Sequence, residues 1–253
     1  MNTHNRSLIL IHGWGFNNSI WQYNLDYLKA RYNNVVTINL NGHGDNKYNP
    51  EFINLDLYLD YLIKNIPIDA DILGWSLGGI IALKLKEKYS DHINNITLCC
   101  STPCFINNNQ WQHGVLAEAW DEFYNDLITD SNKTLKNFIL LQTLNHSHSK
   151  QLYKQLLAIH KNSPLPSNQG LNWGLEILKQ DYTNSLNIIN NKTIRFIFGS
   201  KDLLVNKSLI SWLNNQHPNI KTFLLDNSGH MPFITEPEKF YNCLDLKSET
   251  ETK

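Results

Sequence analysis

Gly74-Trp75-Ser76-Leu77-Gly78, followed by a further glycine at 79, is the stretch whose reading decides the fold. The apolar run at 70–74 has the length and composition of a buried strand, and residues 77–89 repeat apolar positions as a helix does. A serine with glycines at −2 and +2, set between a strand and a helix, occupies a turn too tight for side chains at the flanking positions. The helix that begins there directs unpaired N–H groups and the positive end of its dipole at the serine, favouring negative charge nearby. Ser76 is therefore the candidate nucleophile.

Outward from this turn the chain alternates. Short apolar strands are expected at 7–11, 35–40, 93–100, 194–198 and 220–225, with helices at 20–32, 55–66, 208–215 and 236–246. Strands alternating with helices imply crossover connections and a mainly parallel sheet covered on both faces. Between about Cys104 and Leu186 the pattern is different. Apolar residues recur at helical spacing (Phe123 and Leu127; Leu135, Phe138 and Ile139; Leu152, Leu156 and Ile159), and no strand is expected. The chain is thus read as an α/β core at 1–103 and 187–253, interrupted by a helical cap at 104–186. It has no linker composition and no internal repeat.

A chain of 253 residues that is 42% hydrophobic has enough apolar surface for one sizeable core. Lys and Arg number 22 against 23 Asp and Glu, so no field of one sign is available to grip nucleic acid. The apolar run Leu8-Ile9-Leu10-Ile11 is too short for an export signal or a membrane span. Cys99, Cys100, Cys104 and Cys243 show no metal-ligand spacing, and without an export signal they are expected to be reduced in a cytoplasmic protein.

Serine needs a base, and the base needs an orienting acid. In a sheet of this kind the chain order is Ser, acid, His, with each group beyond the C-terminal end of a strand. Asp202 follows the strand at 194–198, and His230 lies in the loop after the final strand. Of the ten histidines, only His230 has that position. A tetrahedral intermediate requires two N–H donors. Leu77 supplies one from its backbone, and Trp14, in His12-Gly13-Trp14-Gly15 after the first strand, is the natural second. His12 is expected to pin that loop by hydrogen bonds. The fold class implied is the α/β-hydrolase fold, and the chemistry is covalent ester hydrolysis without metal or organic cofactor.

With these residues in hand, the sequence resembles the pimeloyl-[acyl-carrier protein] methyl ester esterases of biotin synthesis along nearly the whole chain. The features are HGWG at 12–15 with Trp21 following, GWSLGG at 74–79, FILLQ at 138–142, GLEIL at 174–178 with Asp181 beyond it, the Asp202 loop, and GHMPFITEPEKF at 229–240. The resemblance implies a substrate site lined by Trp14, Ser76, Leu77, Phe138, Ile139, Leu140, Leu141, Gln142 and His230. It also implies a basic surface on the cap for an acidic carrier protein. Lys133, Lys150 and Lys154 stand at matching positions, while Asn137 stands where a basic residue belongs, and the cap contains no arginine.

A monomer acting on a carrier-bound ester, with no nucleic acid or membrane partner, is the resulting expectation. A general short-chain carboxylesterase is the main alternative. A menaquinone-pathway lyase should want arginines for a multiply anionic substrate, and a non-catalytic receptor has no need of a complete triad.

Overall fold

A computed structural model describes residues 4–189 and 194–244. Six strands form one sheet in the order β2-β1-β3-β4-β5-β6, and every neighbouring pair is parallel. They are β1 (His4–Ile11), β2 (Tyr32–Ile38), β3 (Ala70–Trp75), β4 (Ile93–Cys99), β5 (Ile194–Gly199) and β6 (Lys221–Leu225). The α/β-hydrolase fold expected from the sequence is the fold observed.

Alternate side chains along the central strands β1, β3 and β5 feed two separate cores. Ile9, Ile11, Ile72 and Phe196 enter one, and Leu8, Leu10, Leu73 and Ile197 the other. A parallel sheet buried on both faces reads as an unbroken apolar run, which is why β3 and β5 are buried at every position. Helix α3 (Leu77–Lys88) is buried along most of its length, from Leu77 to Lys86 with one interruption at Lys84, because it packs on the sheet and lies under other helices.

One expected element is different. Residues 20–32 form no single helix: a 3-10 turn (Asn18–Trp21) precedes the short α1 (Leu25–Lys29), and Tyr32 already belongs to β2. The Asn17 side chain accepts the Ser19 N–H and starts the first turn. Asn24, at the start of α1, instead donates its side-chain amide to the Phe233 carbonyl (2.8 Å), a bond invisible to local periodicity. Helix α2 (Leu55–Ile63) stops short of Ile66. The helix expected at 236–246 is α11 (Pro237–Leu244), after the single turn α10 (Pro232–Thr235); residues 245–246 lie outside the described residues.

Between β4 and β5 run α4 (Ala117–Thr129), α5 (Ser131–Thr143), α6 (Ser149–Lys161), α7 (Asn168–Leu178) and the short α8 (Ser185–Ile188). Helix α9 (Ser208–Gln216) joins β5 to β6. Among the described residues no helix is long and apolar enough to cross a membrane. The chain leaves β1 for the edge strand β2 and returns to β3 on the other side of β1. In a parallel sheet all C-terminal ends share one edge, and such a reversal opens a crevice there. The loops after β1, β3, β5 and β6 meet at that edge.

Candidate active site

Ser76 sits at φ 54°, ψ −117°, a backbone conformation that costs a non-glycine residue on the order of 1–3 kcal/mol. The strain persists because the turn is held on both sides. The Ser76 N–H donates to the Cys99 carbonyl (3.0 Å), and the Ser76 carbonyl accepts from the Ser101 hydroxyl (2.7 Å) and the Gly79 N–H (2.8 Å). The flanking glycines are required sterically. A Cβ on Gly74 would lie 2.1 Å from the Gly78 carbonyl oxygen, and one on Gly78 would lie 2.3 Å from that of Ile11.

His230 and Asp202 are joined by a 2.8 Å hydrogen bond between Nδ1 and Oδ2, with both side chains only 1% exposed. Asp202 is held by its other oxygen, which accepts the Leu204 and Val205 N–H groups at 2.8 and 3.2 Å. A carboxylate accepts, so the imidazole proton resides on Nδ1 and Nε2 presents its lone pair. Nε2 is buried and has no hydrogen-bond partner among the described residues. Behind the pair, the Cys100 thiol donates to the Gly229 carbonyl. Burial pushes that thiol well above its ordinary range, so it stays protonated and does not compete as a nucleophile.

The loop after β1 is pinned by histidines. His12 donates from Nδ1 to the Gly13 carbonyl (2.8 Å) and accepts the Leu40 N–H at Nε2 (3.0 Å). His43 repeats the pattern, donating to the Asn41 carbonyl (3.0 Å) and accepting the Gly15 N–H (3.4 Å). Both bonding sets need a neutral ring. The backbone N–H groups of Trp14 and Leu77 have no acceptor among the described residues, as an oxyanion hole requires.

Burial pushes His43 down to about 4, with its Asn41 bond opposing and His160 adding. Burial likewise lowers His12, assisted by His43, and lowers His160, which its hydrogen bond with the Gly15 backbone partly offsets. The unfolded chain binds these protons near pH 6.5 and the folded chain only at lower pH. Stability is therefore full well above pH 6.5 and falls as pH drops toward 4, by about 2 kcal/mol from His43 alone between pH 7 and 5. Urea titrations at pH 7 and pH 5 measure this; a level free energy across that interval would contradict the neutral-histidine pins.

A cavity of about 250 Å³ opens on Ser76, and Ser76 carries the only hydroxyl among its lining residues. Of the residues the resemblance implies, Trp14, Phe138 and Leu141 form part of the wall. Trp14 is held by its indole N–H on the Leu171 carbonyl (2.8 Å) and meets Phe138 and Phe123 edge-on at 5.0 and 5.4 Å. Ile139, Leu140, Gln142 and the side chain of Leu77 lie off this wall. Ile139 packs into the second core with Leu152 and Leu156, and Leu140 is 42% exposed. Gln142 is buried against its own helix, its amide donating to the Phe138 carbonyl. Leu77 is buried below the wall, where its side chain approaches Gly174 and Trp14. The cause is helical geometry: positions 138 and 141 share one face of α5, and 139 and 140 turn away.

Sequence reasoning missed Phe105, Val115, Ala119 and Trp120, and Leu203 and Leu204 beside Asp202. Phe123, Leu175 and Leu178 were noted only as helical or motif positions, yet all three line the cavity. The spacing Trp120–Phe123 on an amphipathic helix was the available signal. Lys150 and Lys154 lie one turn apart on the exposed face of α6 and line one shallow depression with His148. Lys133 is exposed in the first turn of α5, about 15 Å along that helix from the α5–α6 connection.

The α/β hydrolase fold family profile matches residues 6–237. Pimeloyl-[acyl-carrier protein] methyl ester esterase from Legionella pneumophila (strain Paris) is 33% identical over 239 residues, covering 94% of this chain and 93% of that protein. The Vibrio cholerae esterase of the same name is 30% identical, over 93% and 91% of the two chains. Among solved structures, a bromoperoxidase from Bacillus anthracis superposes with a TM-score of 0.83 at 19% identity, covering 94% of this chain and 90% of that one; it speaks to the fold alone.

Proposed function

The chain belongs to the α/β-hydrolase fold family and, within it, to the pimeloyl-[acyl-carrier protein] methyl ester esterases, and from that premise we propose how its residues hydrolyse the substrate. The reaction is hydrolysis of the methyl ester of a pimeloyl chain on its carrier protein, releasing methanol and the free carboxylate, in biotin synthesis. The observation that carries the residue assignment is the apolar chamber lined by a single hydroxyl, that of Ser76, together with the buried His230–Asp202 pair, whose His230 carbonyl accepts the indole N–H of Trp75, the residue before Ser76.

His230 Nε2 takes the Ser76 proton as Oγ attacks the ester carbonyl. The N–H groups of Trp14 and Leu77 hold the oxyanion, and protonation by His230 releases methanol. Water activated by the same imidazole then cleaves the acyl-enzyme. Asp202 keeps the proton on Nδ1 and stabilises the imidazolium. No step calls for a metal or organic cofactor.

Residues 104–186 act as a cap that shapes the acyl channel, with Trp14 from the core and Phe138 and Leu141 from the cap as its methylene-contacting walls. The thioester end of the acyl group leaves toward the carrier, so only the far ester reaches Ser76; selectivity against the thioester is a matter of reach. Lys150 and Lys154 contact the acidic carrier, with Lys133 further out. The enzyme works as a cytoplasmic monomer, without nucleic acid or membrane partners.

Expression in a biotin auxotroph lacking its methyl esterase tests the pathway assignment: growth without biotin is the expected result, and failure despite soluble expression counts against it. Charge reversal, Lys150→Glu with Lys154→Glu, is expected to raise KM for the carrier-bound ester about tenfold and leave a small free methyl ester unchanged. Equal effects on both esters would remove the carrier contact and favour a general carboxylesterase.

A further inference from the structure

We propose that Trp75 is a positioning residue that sets the imidazole of His230 and the loop after β1 against Ser76; this rests on the reading of Ser76 and His230 as nucleophile and base. Trp75 precedes the nucleophile and is 1% exposed. Its indole N–H donates to the backbone carbonyl of His230 itself at 2.7 Å, a bond between residues 155 positions apart. The indole and imidazole centroids are 5.6 Å apart, and Phe233, three residues beyond His230, meets the indole edge-on at 5.3 Å.

The same ring bounds the other half of the site. A Cβ on Gly13 would fall 2.9 Å from Trp75 Cε3, so the loop that carries the Trp14 N–H lies directly on the indole. Phe16, at the far end of that loop, packs against it at 5.0 Å. One rigid side chain thus touches the loop of the base and the loop of the oxyanion donor, while its own backbone leads into Ser76.

The existing restraints on His230 leave this role open. Asp202 fixes the ring at Nδ1 but leaves rotation about that hydrogen bond and movement of the main chain below it. Nε2 has no partner among the described residues, so nothing at the reacting end holds the ring. A bond to the His230 carbonyl fixes the point from which the side chain departs. Misplacement of a catalytic group by about 1 Å is sufficient to cost about 100-fold in rate. The hydrogen bond also satisfies a buried N–H that otherwise has no acceptor in an apolar core.

The decisive comparison is Trp75→Phe against Trp111→Phe. Trp111 also donates its buried indole N–H to a carbonyl, that of Cys104 at 2.8 Å, but touches neither His230 nor the β1 loop among the contacts described. Trp75→Phe is expected to lower kcat about 10- to 100-fold on a small methyl ester, leave KM within about twofold, and slow labelling by a fluorophosphonate in parallel. Trp111→Phe is expected to lose comparable thermal stability and keep wild-type kcat and labelling.

If Trp75→Phe does not fold, β-(3-benzothienyl)alanine at position 75 keeps the ring shape and removes only the N–H, and the same fall in kcat is expected. A wild-type kcat in either Trp75 variant, or an equal fall in Trp111→Phe, overturns the proposal. Turnover by Ser76→Ala in the same assay would instead overturn the reading beneath it. An inert Ser76→Ala beside a fully active Trp75→Phe removes this inference alone.

Discussion

Ser76→Ala is expected to lower ester turnover by about 10⁴-fold or more while the protein remains folded. The size of the loss follows from the cavity: Ser76 carries the only hydroxyl among its lining residues, so no neighbouring oxygen substitutes for Oγ. The buried Cys100 thiol, raised by desolvation, is no substitute either. The fold should survive because the bonds that hold the turn use the backbone of Ser76. Its N–H goes to Cys99 and its carbonyl to Ser101 and Gly79, and alanine retains all of them. Thermal unfolding and circular dichroism check the fold, and steady-state kinetics on a methyl ester checks the loss. Turnover within tenfold of wild type in a folded variant would rule out an acyl-serine mechanism.

Asp202→Asn should cost about 10⁴-fold in kcat with little change in KM. The carboxylate does two things at once. Oδ1 accepts the Leu204 and Val205 N–H groups, and Oδ2 accepts from His230 Nδ1. An asparagine that keeps its oxygen on the two backbone donors must turn its NH₂ toward the imidazole. Nδ1 then becomes the acceptor and the proton moves to Nε2, the atom that has to receive the serine proton. The geometry is preserved and the tautomer is wrong. Single-turnover measurements with a small ester separate this effect from binding, and a kcat reduced less than tenfold would assign the orienting role to a different group.

Much of the catalytic arrangement is legible in one dimension because the sheet is parallel. Crossover connections bring every strand's C-terminal end to one edge, so residues at and just after strand ends meet even when 155 positions separate them, as Trp75 and His230 are. Glycine spacing in 74–78 is equally local, since it answers clashes within a single turn. Helix ends were less secure. The apolar spacing of Ile20, Trp21, Leu25 and Leu28 suits one helix, yet the chain there is a turn and a short helix. Trp21 meets the Phe233 ring at a tilt, 4.6 Å between centroids, and Asn24 bonds across 209 residues, and these distant contacts settle the local conformation.

The sequence by itself determined the alternating architecture, the strained serine turn and the order Ser76, Asp202, His230, because each depends on short-range sterics or on chain order in a parallel sheet. Only the tertiary structure decided which side chains face the cavity at Ser76. Phe138 and Leu141 face it while Ile139 and Leu140 turn away, Trp120 and Leu204 join from elements far apart in the chain, and Trp75 reaches the carbonyl of His230. Facing is a property of two packed surfaces, and a periodic sequence records only one of them.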